Sequence, residues 1–171
     1  MIKLAIFDLD GTLINSLQDL ANAVNYTLEL HGYPVHELSE YNYFVGDGIT
    51  ELLRRALPLE MQNDEEVMKI KSDFEKHYAK NYIKNTVAYN GINELINILK
   101  RKDVKIAIAT NKPDEFAKHI VSEIFGCSFD FVKGNTHDMK KKPSPEIVFY
   151  IIDTLGFNKD ETIFIGDSDV D

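Results

Sequence analysis

Asp8 and Asp10, followed at once by Gly11 and Thr12, are the residues of this sequence whose types and spacing best suit chemistry. In a strand the side chains of i and i+2 point to one face, so both carboxylates can reach a common volume. Held that close, they repel unless a cation or a shared proton compensates them. Gly11 lets backbone approach a ligand without interference from a Cβ. The same residues also suit an ordinary strand that ends in a polar turn, where Asp and Gly are common.

The elements that must position these groups can be read from the periodicity. Leu4 to Phe7 is an unbroken apolar run, as expected of a strand buried on both faces. Leu17, Leu20, Ala21, Val24 and Leu28 follow helical spacing after Asn15-Ser16, a suitable N-cap, and Gly32-Tyr33-Pro34 stops the helix. Ile49, Leu52, Leu53 and Ala56 predict a second helix, entered through Gly46-Asp47-Gly48 and ended at Pro58. A third is predicted over 64–85, with Val67, Ile70, Phe74, Tyr78 and Tyr82 inward. No strand pattern occurs over 16–85, so this stretch reads as a small helical insertion.

Beyond it the pattern alternates. A helix is predicted over 92–102 with Leu95, Ile96 and Leu99 inward, then a strand over 104–110. A helix over 114–125, a strand over 129–132, a helix over 146–155 and a strand over 162–165 follow. This alternation predicts an α/β fold, a doubly wound, Rossmann-like parallel sheet covered on both faces. The first strand should lie between the second and the last. Ligands bind such sheets at the carboxyl ends of the strands. That rule gathers Asp8 and Asp10, Thr110 and Asn111, and Asp167 and Asp171 at one end, with Lys142 on the loop before the last strand.

Carboxylates beside a lysine and a hydroxyl describe a Mg²⁺ site that handles a phosphate, since Mg²⁺ prefers hard oxygen ligands. Thr110 Oγ, the Asn111 backbone N–H and the Lys142 ammonium would hold phosphoryl oxygens. Asp8 would then be free to attack phosphorus and form an aspartyl-phosphate. Asp10 could protonate the leaving oxygen and later take a proton from water. Lys142 and Mg²⁺ would stabilise the charge on the transferring group.

Composition sets the bounds. The 171 residues carry a formal charge of −9, which argues against nucleic acid or an anionic membrane as the main partner. Cys127 is the only cysteine, so neither an internal disulfide nor a cysteine-based zinc set is expected. With no leader before the first strand and no apolar run near membrane-spanning length, a cytoplasmic protein is expected, monomeric or homodimeric.

Asp8-Leu9-Asp10-Gly11-Thr12, Thr110-Asn111, Lys142-Pro143 and Gly166-Asp167-Ser168-Asp169-Val170-Asp171 together resemble the four ordered motifs of the haloacid dehalogenase superfamily. The resemblance implies a catalytic core over 1–14 and 86–171 and a helical cap domain over 15–85. It implies Asp8 as nucleophile and Asp10 as acid/base, with Gly11, Thr110, Asn111 and Lys142 around the phosphate. It also implies Mg²⁺ held by Asp8, the Asp10 backbone carbonyl and Asp167, with Asp171 in support. An aspartate at the position of Asp10 is typical of the phosphoryl-transfer branches. Asp8 to Ser16, Val45-Gly46-Asp47-Gly48-Ile49 and Gly166-Asp167-Ser168 are similar to phosphoglycolate phosphatases. A small phosphorylated metabolite is the implied partner, 2-phosphoglycolate slightly ahead of sugar phosphates. The Gly46-Asp47-Gly48 loop would offer donors to a distal carboxylate, with the charge of Asp47 opposing it. A phosphomutase similar to β-phosphoglucomutase and a catalytically silent binding protein are the other readings, and a phospho-accepting receiver is a more distant one. The family pattern runs on past the last motif into a helix and a strand, so the chain reads as a fragment or as a core completed in some other way.

Other residues invite simpler readings. His31, His36, His77, His119 and His137 lack metal-ligand spacing, Arg54-Arg55 suits a solvated helix face ahead of a contact with a substrate carboxylate, and Cys127 suits packing.

Overall fold

The computed structural model describes residues 1–171, and the chain divides into two units, Met1–Asn15 with Ala88–Asp171, and Ser16–Val87. The strands are β1 (Leu4–Phe7), β2 (Ile14–Asn15), β3 (Val87–Ala88), β4 (Lys105–Pro113), β5 (Phe131–Asn135) and β6 (Thr162–Ile165). The helices are α1 (Leu17–Leu30), α2 (Ile49–Ala56), α3 (Asp64–Asn81), α4 (Ile92–Arg101), α5 (Asp114–Phe125) and α6 (Glu146–Leu155). Short 3₁₀ turns at Leu38–Tyr43, Leu59–Met61 and Lys159–Glu161 complete the set. No helix is long and apolar enough to cross a membrane.

The α/β unit is built on a sheet of order β5-β4-β1-β6, all of it parallel. β1 therefore lies between β4 and β6, as expected. Every residue of β1 is buried, and β4 is buried from Ile106 through Lys112. Leu4, Ile6, Ala107 and Ala109 pack with Ile147, Ile151 and Ile152 of α6. Ala5, Phe7, Ile106 and Ile108 point the opposite way and are buried too. Both faces of the central strands are covered, which is why the sequence there is apolar without alternation. Each buried Leu or Ile contributes about 1.5–3 kcal/mol.

Four details depart from the periodicity. β4 runs three residues past Thr110, to Pro113. β5 starts two residues later than expected, because Phe129 packs edge-on against Phe125 and the Asp130 carboxylate takes the Ile106 N–H. In α4, Ile96 is buried but Leu95 is exposed, lying one residue, or 100°, off the buried stripe. The two-residue strands β2 and β3 pair where the chain leaves and re-enters this unit, and strands so short carry no readable pattern.

In the helical unit, α1 and α2 both pack on α3. Leu20, Val24 and Leu28 of α1, Leu52 and Leu53 of α2, and Val67, Ile70, Phe74 and Tyr78 of α3 form its buried side. Phe74 and Tyr78 stack with ring centroids 5.3 Å apart. Asn63 caps α3 by accepting the Glu66 N–H at 2.9 Å. Tyr82 is only half-buried, and α3 stops at Asn81, four residues short of the expected end. The cause is Asp19, an almost fully buried carboxylate in the first turn of α1. It accepts the backbone N–H groups of Asn85 and Thr86 at 2.9 Å each, the Asn85 amide at 2.7 Å and the Thr86 hydroxyl at 2.8 Å. Those N–H groups thus bind a side chain instead of extending the helix.

Replacing Asp19 with alanine leaves these buried donors without their acceptor, and each lost bond to a charged group costs about 1.5–3 kcal/mol. Urea unfolding of Asp19→Ala is expected to show a loss of about 3 kcal/mol or more. An unchanged midpoint would show that the clamp contributes nothing.

Candidate active site

β1 ends at Phe7, and Asp8 follows it, its N–H donating to Ile165 O of β6 at 2.8 Å. The Asp8 carboxylate is buried and meets the Lys142 ammonium at 2.5 Å. Lys142 Nζ also meets Asp171 Oδ1 at 2.5 Å, so one buried cation joins two carboxylates from different segments. Burial pushes the Asp8 carboxyl up to about 6, with Asp10 and Asp171 adding to the rise and Lys142 opposing it. For Asp171 burial acts in the same direction, but Lys142 and Ser168 outweigh it and hold this carboxyl below its ordinary value.

Asp171 exposes its backbone, yet its side chain is only 5% exposed. Its Oδ2 accepts from the Asp167 N–H at 3.2 Å, the Ser168 N–H at 3.1 Å and the Ser168 hydroxyl at 2.8 Å. The turn after β6 is therefore wrapped around this carboxylate. Asp167 faces solvent and accepts the Thr12 hydroxyl at 2.8 Å. Gly11 lies at φ +90°, and a Cβ there would overlap the Asp167 carboxylate. Gly166 is just as close to Asp171. The two glycines let two backbone segments close around the acidic groups.

Oxygens of Asp8, Asp167 and Asp171 all lie within 4.8 Å of one another. Three carboxylates converging on one point are the hard oxygen donors that Mg²⁺ prefers, so the donor set fits such an ion. The Asp10 carboxylate is not in the cluster, since it is turned to Lys112 at 2.9 and 3.1 Å. Thr110 and Asn111, both buried, are on β4 beside this end of β1. The structure thus brings Asp8, Asp167, Asp171 and Lys142 into direct contact or reach, with Thr110 and Asn111 on the adjoining strand. The five histidines take no part in the acidic cluster; His31 pairs with Asp73 at 3.1 Å and His36 with Glu40 at 3.3 Å.

The sequence pattern of haloacid dehalogenase-like hydrolases matches residues 5–171. The chain belongs to the haloacid dehalogenase-like hydrolase family. It is 34% identical over 171 residues to a phosphoglycolate phosphatase of Pseudomonas savastanoi pv. phaseolicola, covering 97% of this chain and 62% of that protein. A phosphoglycolate phosphatase of Aquifex aeolicus is 33% identical over 172 residues, with 99% of this chain and 78% of that protein covered. A Lactobacillus delbrueckii subsp. bulgaricus protein, described as a candidate phosphoglycolate phosphatase, has a similar crystal structure. Its TM-score is 0.93 at 31% identity, covering 99% of this chain and 80% of that one.

Family motifs mark four segments of this site but not every contact that holds it. Asn111 was expected to act through its backbone N–H. Its side chain accepts the Lys142 N–H at 2.8 Å and donates to Lys142 O at 3.2 Å, clasping the lysine's main chain from both sides. The Lys142–Pro143 peptide between that loop and the next turn is cis. Neither Lys112 nor the bond from Thr12 to Asp167 is marked by the motifs. The only signal for Lys112 was its place two residues after Thr110, on the same face if the strand continues. Arg54 and Arg55 form more than a solvated face. Arg54 meets Asp64 at 2.7 Å and Gln62 O at 2.9 Å, while Arg55 pairs with Asp47 and Phe44 O.

Proposed function

We propose that this protein is a Mg²⁺-dependent phosphatase that hydrolyses a small phosphate monoester through an aspartyl-phosphate on Asp8, with 2-phosphoglycolate as the first candidate. The observation that carries this reading is the Asp8 carboxylate, fixed by the buried Lys142 within reach of Asp167 and Asp171. Asp8, Asp167 and the Asp10 carbonyl would hold Mg²⁺, with Asp171 behind them, and the ion when bound would offset phosphoryl charge.

In the first half-reaction an Asp8 oxygen attacks phosphorus, the ester P–O bond breaks and Asp10 gives its proton to the leaving oxygen. In the second, water attacks phosphorus, the bond to Asp8 breaks and Asp10 takes the proton from water. Lys142 offsets the growing charge on the phosphoryl oxygens, and Thr110, Asn111 and the Gly11 backbone line the phosphate.

The core residues recognise only phosphate and metal, so discrimination among esters falls to residues 15–85 acting as a cap domain. A small phosphorylated metabolite suits this division better than a nucleic acid, which the net charge of −9 disfavours. The names of the Pseudomonas and Aquifex relatives favour 2-phosphoglycolate. The Asp47–Arg55 pair supports the same choice, because it offsets the one negative charge in the loop assigned to the distal carboxylate. Phosphate release from 2-phosphoglycolate and a panel of hexose phosphates, with Mg²⁺ or with EDTA, tests the proposal. Turnover is expected with Mg²⁺ and not with EDTA. A preference for hexose phosphates would move the substrate and keep the reaction. No turnover of any small phosphate would point instead to a silent binding protein.

A further inference from the structure

Lys112 has no part in the reaction as written, yet it is charged and its side chain is only 4% exposed. Burying an ammonium is costly unless a counter-charge and hydrogen bonds compensate it. Both oxygens of Asp10 accept from its Nζ, at 2.9 and 3.1 Å. The Asp10 side chain is 26% exposed, so the pair is anchored at its lysine end and open at its carboxylate end. The Lys112 backbone N–H also donates to Thr110 Oγ1 at 3.2 Å. One residue of β4 therefore touches two members of the proposed machinery, through its side chain and its main chain.

We infer that Lys112 is a positioning residue: its ammonium fixes the rotation of the Asp10 carboxylate, so that Asp10 meets the leaving oxygen and then the attacking water. This role rests on the phosphatase reading and deepens it. An acid or base must stand within hydrogen-bond reach of the proton it moves, and a carboxylate held at both of its oxygens by one ammonium is restrained from turning about its last bond. Asp8-Leu9-Asp10 leaves β1, and Thr110-Asn111-Lys112 lies in the last part of the neighbouring β4, so the grip also ties the end of β1 to β4.

The test compares two esters. An alkyl phosphate needs a proton on its leaving oxygen, whereas p-nitrophenolate leaves without one. Lys112→Met should lower kcat/KM about 100-fold on the alkyl phosphate that the wild type turns over fastest. The first turnover of p-nitrophenyl phosphate should change less than about threefold. Steady-state turnover should then lag behind it, giving a burst, because a displaced Asp10 no longer takes the proton from water. Lys112→Arg, which keeps the charge, should recover the alkyl ester to within about tenfold of wild type. If the Met variant fails to fold, Lys112→Gln takes its place in the same comparison. Equal losses on both esters without a burst, no loss at all, or an Arg variant no better than Met would overturn the positioning role alone. If only Arg folds among the three, Lys112 is structural and the role is likewise overturned. A wild-type chain that turns over neither ester removes the reaction, and the role with it.

Discussion

Asp8→Asn is expected to abolish turnover, by a factor on the order of 10⁴ or more. The amide keeps the shape of the carboxylate but lacks the anionic oxygen that, in the proposed route, attacks phosphorus. Nothing beside it can replace that oxygen. Asp10 is held by Lys112, Asp167 faces solvent on the other segment, and Asp171 is committed to Lys142 and the turn around Ser168. The rate of phosphate release should fall to background, and acid quenching of the wild type, but not the variant, should trap a phosphorylated peptide containing residue 8. Circular dichroism should show the fold intact. Wild-type rates in the variant would eliminate the covalent route.

Removing Lys142 should have the second largest effect, and it should be visible in stability as well as rate. Lys142→Ala leaves Asp8 and Asp171 as two buried carboxylates without the cation that bridges them. Breaking a buried pair by removing one partner costs about 3–5 kcal/mol, since the remaining charge stays buried and uncompensated. In the reaction, the loss of one charged donor should lower kcat about 10²- to 10³-fold. The two effects separate experimentally: urea unfolding reads the first, and saturating-substrate kinetics in excess Mg²⁺ read the second. Arginine should be a poor substitute, because the ammonium sits between two buried carboxylates at 2.5 Å from each, and a wider, planar guanidinium cannot bridge both from the same place. An unchanged unfolding midpoint together with wild-type kcat would remove Lys142 from the site.

Much of this arrangement was legible in the sequence. An apolar run that ends in Asp8 fits a buried strand opening onto a polar end, and the alternation after residue 86 predicts a parallel sheet with its ligand groups at that same end. What stayed hidden depends on partners distant in the chain. Asp19 in a first helical turn reads as a favourable charge at a helix N-terminus, and nothing local shows that it binds Asn85 and Thr86. The Asn111 side chain and the Lys142 main chain are brought together only by the folded loop. Lys112 could be placed only by knowing that β4 continues past Thr110, where Pro113 ordinarily argues for an earlier stop. Leu95 shows the reverse error, an apolar residue at the edge of a stripe that the helix leaves in water.

The clamp made by Asp19 also bears on how such an architecture can be assembled from parts. It joins the first turn of α1 to the last residues before β3, so the helical unit closes on itself at its own two ends. Lengthening an inserted segment costs a host domain only about 0.6 kcal/mol per doubling, because the cost lies in bringing the ends together. Here the insert meets that requirement with its own hydrogen bonds. The α/β unit need supply no more than two adjacent attachment points, at Asn15 and Ala88. A graft of this kind can be exchanged for another of different size or sequence without rebuilding the sheet, provided that the replacement brings its own closure.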